Sequence, residues 1–160
     1  MTMGIVLKNR LEHSVEKMLS DVIVSVFRSN LKLVFGNRLF YNKDGSLRSV
    51  EMTISDRPLY LGDTENFTFW IERIDEKYVN EKEDEEYDWV DEGKNLYQVG
   101  YIENIRDIEG IVYKFVYEYL KLNPNDYFWF EDYAFCYKDM EKLSKLPYNP
   151  DWCYTNPRLV

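Results

Sequence analysis

Histidine occurs once in these 160 residues, at His13, and cysteine twice, at Cys136 and Cys153. A zinc centre draws three or four such ligands from close spacing, and two distant cysteines with one histidine do not supply it. The same scarcity works against Ser-His-Asp and Cys-His machinery, because a nucleophile needs a base beside it and a group to orient that base. Glycine is sparse as well: the seven are scattered, and neither G-x-x-x-x-G-K-[ST] nor G-x-G-x-x-G occurs, so no loop is built to cradle a phosphate. Apolar runs are short, well below the roughly 20 residues that span a bilayer. The start, Met-Thr-Met-Gly-Ile-Val, lacks the basic segment and apolar stretch of a secretory signal. These absences lead us to expect a cytoplasmic chain with reduced, buried cysteines, no cofactor, no metal and no membrane association.

Excess basic charge is also missing. Arginines stand at 10, 28, 38, 48, 57 and 73, yet residues 1–74 net only +1, too little for direct nucleic-acid binding through the phosphate backbone. What the chain does have is aromatics and acid. Aromatic residues make up 17%, with 14 Tyr and 4 Trp, side chains that join a large apolar area to a polar tip.

The acid is concentrated. Residues 75–92 hold ten carboxylates (Asp75, Glu76, Glu81, Glu83, Asp84, Glu85, Glu86, Asp88, Asp91 and Glu92) against Lys77 and Lys82, a net of −8 within a chain total of −9. Like charges so crowded repel, so the segment is expected to be solvated and mobile, or bound to something basic. Tyr78, Tyr87 and Trp89 are interleaved with the acids, which a merely solubilising tract would not need. A calcium loop is a poor match, since the D-x-D-x-D-G spacing and its turn glycine are missing.

Periodicity supplies the frame. Leu7, Leu11, Val15, Met18, Leu19, Val22, Ile23, Val26 and Phe27 recur at helical spacing, predicting a helix over residues 5–28 that ends at Ser29-Asn30. His13 then falls on its polar, exposed side. From residue 31 the period becomes two: Leu31, Leu33 and Phe35 alternate, and Leu39-Phe40-Tyr41 follows a Gly36-Asn37 break. Asn42-Lys43-Asp44-Gly45 is a hairpin turn signal, followed by Val50, Met52 and Ile54 and then Phe67, Phe69 and Ile71 as strands. Another strand is expected over 95–102 and a second helix over 104–122, closed by Asn123-Pro124. Residues 127–137 read as one strand or a tight pair, 139–146 as a short helix, and 147–160 as an irregular strap. The expectation is one domain of 160 residues with an α+β fold: an antiparallel meander sheet packed against two main helices, one N-terminal and one in the second half.

A carboxylate pair is the remaining enzymatic option, and Glu131-Asp132 sits among aromatics as sugar-binding strands do. As neighbours on a strand, however, the two would point to opposite faces.

The acidic, aromatic-rich character of the whole chain resembles that of the small immunity proteins bacteria make against their own toxins. The resemblance is compositional. It implies an inhibitory binder that covers the basic active surface of a toxin or nuclease, with opposite charge speeding encounter and Tyr and Trp anchors supplying lasting affinity. The expected contact residues are Glu81, Glu83, Asp84, Glu85, Glu86 and Asp88, with anchors among the exposed members of Tyr78, Tyr87, Trp89 and Trp129. A nucleic-acid mimic from a phage or mobile element, and an enzyme with carboxylate chemistry, are the competing expectations.

Overall fold

A computed structural model describes residues 3–34, 38–80 and 85–160. Among them the chain forms eight strands and four α-helices: β1 (Gly4–Asn9), α1 (Val15–Arg28), β2 (Lys32–Val34), β3 (Leu39–Tyr41), β4 (Leu47–Ser55), β5 (Asn66–Glu72), α2 (Glu76–Val79), β6 (Leu96–Ile102), α3 (Glu109–Leu122), β7 (Tyr127–Phe130), β8 (Tyr133–Phe135) and α4 (Tyr137–Ser144). The expected α+β class holds. The sheet is antiparallel and open, in the order β2-β4-β5-β6-β1-β7-β8, with β3 also pairing β4. Because β2 opposes residues 53–55 and β3 opposes residues 47–50 of the same β4 edge, the two act as one interrupted edge strand.

The consecutive strands β3-β4-β5-β6 form the meander. The first strand enters between β6 and β7, which corrects the expected helix over residues 5–28. A central strand buries both faces, so it reads as a continuous apolar run and not as an alternation. Ile5-Val6-Leu7 is such a run, and the four-residue spacing of Leu7, Leu11 and Val15 mimicked a helix. Leu11 is in fact largely exposed. The helix begins at Val15, where the Ser14 hydroxyl accepts from the Lys17 N–H at 3.2 Å as an N-cap. It closes where expected, with Ser29 capping and Asn30 at φ 60°. The hairpin at Asn42–Gly45 also forms, with Gly45 at φ 90° and Asn42 N–H donating to the Ser46 carbonyl. The second helix starts at Glu109, later than residue 104, because Asp107 takes φ 69° and holds the preceding turn out of the helix.

Both main helices pack on one face of the sheet. Val15, Met18, Val22 and Val26 of α1 and Val112, Phe115, Val116 and Leu120 of α3 meet Val6, Val50, Met52, Ile54, Phe67, Phe69, Ile71, Phe128 and Phe130 in a single core. Gly100 belongs to this seam: a side chain there would collide with Met18 and with the Trp70 carbonyl. One buried polar group crosses the core. Lys8 reaches Asp126 at 2.9 Å and the Asn123 side chain at 3.2 Å, and the Tyr119 hydroxyl donates to Asp126 at 2.8 Å. Burial pushes the Asp126 carboxyl above its usual range, although Lys8 opposes the shift.

The strap folds back as two short 3-10 turns, Trp152–Tyr154 and Pro157–Leu159. Trp152 is buried, its ring edge-on to Phe135 and its indole N–H donating to the Glu109 carbonyl. No helix among the described residues is long and apolar enough to cross a membrane.

Candidate functional site

Strand alternation sends every second side chain to the face that the main helices leave open. Phe128 and Phe130 enter the core, so Trp129 between them stands on the opposite face, and Ile5, facing Trp129 across β1, stands beside it. Ile5 in turn faces Tyr101 of β6, Tyr101 faces Trp70 of β5, and Trp70 faces Glu51 of β4. One row across the sheet therefore reads Glu51, Trp70, Tyr101, Ile5, Trp129.

The acidic segment is fastened onto one end of this face. Tyr87 is buried, wedged edge-on against Tyr97 and Trp129. It closes a small second core with Leu7 and Leu96, to which Ile5, Val90 and Tyr127 add. Trp89 lies over Trp129 at 5.7 Å between ring centres, yet is itself 54% exposed. Further along, Asp91 accepts from the Tyr127 hydroxyl at 2.6 Å, a bond that together with burial raises the Tyr127 pKa. Where the segment begins, Tyr78 of α2 stacks on Tyr97. The buried Arg10 then ties both flanks: its guanidinium donates to the Tyr78 carbonyl at 2.8 Å and to the Leu96 carbonyl at 3.4 Å, and lies 4.5 Å over the Tyr97 ring.

Within the acidic stretch 75–92, the described residues 75–80 and 85–92 take a defined local structure. Residues 76–79 are helical, and 85–90 turn tightly, with Asp88 N–H to the Glu85 carbonyl and Val90 N–H to the Tyr87 carbonyl, each at 3.0 Å. The aromatics explain why: burying one ring such as Tyr87 stabilises by about 2–3 kcal/mol. Repulsion between neighbouring carboxylates in water is of order 0.5–1 kcal/mol per pair, so a few anchors outweigh it. Of the expected contact residues, Glu81, Glu83 and Asp84 lie outside the described residues. Glu85, Glu86 and Trp89 are exposed, and Asp88, Tyr78 and Trp129 are half-buried. Tyr87 is buried and so holds the segment down instead of offering a contact.

Beside the clasp lies a cleft of about 660 Å³, lined among others by Glu12, Asp91, Lys94, Tyr127, Cys136 and Glu141. Its thiol is not poised for attack. Cys136 caps α4, its backbone N–H and its Sγ both donating to Asp139 at 2.9 and 3.3 Å, and burial raises its pKa. It is half-buried, less enclosed than expected, whereas Cys153 is buried and pushed up to about 12. Glu131 and Asp132 are not strand neighbours: they form the exposed two-residue turn between β7 and β8, with Glu131 at φ 50°. His13, expected exposed on a helix, instead ends a 3-10 turn (Arg10–Glu12) and is half-buried, its Nε2 2.7 Å from the Glu72 carbonyl. Among the described residues no group of three or more His, Cys, Asp or Glu is placed to hold a metal ion.

The class that fold and site define is an α+β domain with one helix-covered sheet face and one open, acidic and aromatic face. No family model matches this chain, and no curated protein or solved structure is significantly similar to it.

Proposed function

We propose that this chain is a cytoplasmic inhibitory binding protein that neutralises a basic toxin or nuclease by covering its active surface. The observation that carries the proposal is Trp89. It is a large, more than half exposed anchor set among carboxylates and propped on Trp129 by a segment that Tyr87 pins to the sheet. Rigid aromatic anchors give slow dissociation, and surrounding charge of one sign gives fast, salt-dependent encounter. Preordering the segment also lowers the entropy cost of binding.

The test is co-purification from the native host, including the product of any adjacent gene, at low and high salt, with an assay of the captured protein. A basic protein released by salt, whose toxic or nuclease activity the chain inhibits at one-to-one stoichiometry, is the expected result. Neutralising Glu85→Gln with Glu86→Gln should then slow association and flatten its salt dependence. Recovery of no basic partner at either salt defeats the proposal.

A further inference from the structure

Among the described residues, the acidic segment clasps the β1-β7 end of the open face. Toward β4 and β5 that face carries Trp70 and Tyr101, whose rings stack at 5.9 Å and 11°, both half-buried. Three carboxylates, Glu72, Glu103 and Glu51, lie close enough to the stack to act on the Tyr101 hydroxyl. Glu51 is its neighbour on β4, Glu72 lies two residues along β5, and Glu103 lies just past the end of β6, two residues after Tyr101. Glu51 is already paired with Arg38 at 3.3 Å. Glu72 and Glu103 are exposed and form no ion pair among the described residues.

Trp70 also differs from two other tryptophans. The indole N–H groups of Trp129 and Trp152 each donate to a carbonyl, at 2.7 and 2.9 Å, whereas that of Trp70 is enclosed with no acceptor among the described residues. Of these three indoles, Trp70 is therefore the one whose ring no hydrogen bond among the described residues fixes.

We propose that the Trp70–Tyr101 stack is a docking site for an arginine side chain of the basic protein partner, a proposal that rests on the binding function above. A guanidinium suits this place on two counts. It is planar and weakly hydrated, so it lies on an aromatic face, and its fork of donors matches a carboxylate at the rim. The chain itself contains the first half of this arrangement, Arg10 over Tyr97. The partner would then straddle the open face, with Trp89 at one end and the Trp70–Tyr101 stack at the other.

The four tryptophans allow a direct test on the full chain, because each indole N–H gives one resonance in a proton–nitrogen NMR spectrum. The probe is a hexa-arginine peptide, with hexa-lysine as the comparison and buried Trp152 as the internal silent signal. The expected result is a saturable shift of the Trp70 resonance, with hexa-lysine weaker. Binding there should weaken by about tenfold or more in a Glu72→Gln, Glu103→Gln double variant, whose changes on exposed side chains keep the fold. A Trp70→Leu variant, checked for a native far-ultraviolet spectrum, should lose that binding mode. Movement of the Trp89 and Trp129 signals with Trp70 unmoved overturns this site and leaves the binding function standing. Equal response to the two peptides overturns the stacking argument. Absence of any native basic partner removes the binding function instead, whatever the peptide does.

Discussion

The two faces of the sheet divide the aromatic surplus by chemistry. On the helix-covered face the rings are mostly phenylalanine: Phe67, Phe69, Phe115, Phe128, Phe130 and Phe135 join one closed core. On the open face they are Tyr87, Tyr101, Trp70, Trp89 and Trp129, with carboxylates between them. A ring with a polar tip can lie half in water, and a ring without one is best placed where water is excluded. The surplus therefore serves two ends, stability on one side and presentation on the other.

The largest expected effect tests this division at two adjacent residues of one strand. Phe69, fully buried, should cost about 3–5 kcal/mol when changed to Ala, because the cavity adds to the lost transfer energy. Trp70, on the open face, should cost on the order of 1–2 kcal/mol for the same truncation, since its ring is only half removed from water. Urea unfolding of both variants measures the difference. Equal losses would mean that the open face is as much a core as the covered one.

Next in size is the clasp. Tyr87→Ala should lower stability by about 2–3 kcal/mol and free the acidic segment from the sheet. Amide hydrogen exchange locates the effect: protection at Asp88 and Val90, whose N–H groups bond back to Glu85 and Tyr87, should fall far more than protection in β4 or β5. A uniform loss across the molecule would show that Tyr87 belongs to the global core, and that the segment is not a separately fastened unit.

The same division explains what the sequence made legible. Apolar positions that alternate toward the helices, such as Val50, Met52 and Ile54 or Phe67, Phe69 and Ile71, were plain because their neighbours are polar. The turn at Asn42–Gly45 was plain because its glycine must take positive φ. The open face was not, because Trp70 and Tyr101 occupy the positions between apolar ones and blur the alternation instead of marking it. In β6 the register also shifts where Val99 is left without a partner on β1. The central strand was hidden for the same reason, both faces of Ile5-Val6-Leu7 being covered, one by the core and one by the clasp. As for the site, the segment's charge and its aromatics could be read directly. Which aromatic faces solvent depends on pairings some 40 residues apart, as between Tyr87 and Trp129, and no local pattern encodes those.

The smallest effect concerns the seam between the two faces, and it has a sign that can be worked out. His13 accepts burial at the end of β5, where neutral Nε2–H donates to the Glu72 carbonyl and leaves Nδ1 enclosed with no partner among the described residues. Protonation would put an N–H at Nδ1 with nothing to accept it, so burial holds the folded-state pKa below 6.5. Above pH 6.5 the imidazole is neutral folded and unfolded alike, and its contribution to stability is fully present. As pH falls from there, the unfolded chain takes up the proton first, so stability declines until the folded histidine also titrates. The lone histidine makes this limb separable from the carboxylates, which titrate lower. Denaturation midpoints measured from pH 7.5 to 5 should fall in the native chain, and His13→Gln should remove the portion of the slope that starts near 6.5. If that portion persists in the variant, another group governs the seam and the enclosure of Nδ1 is not what couples it to pH.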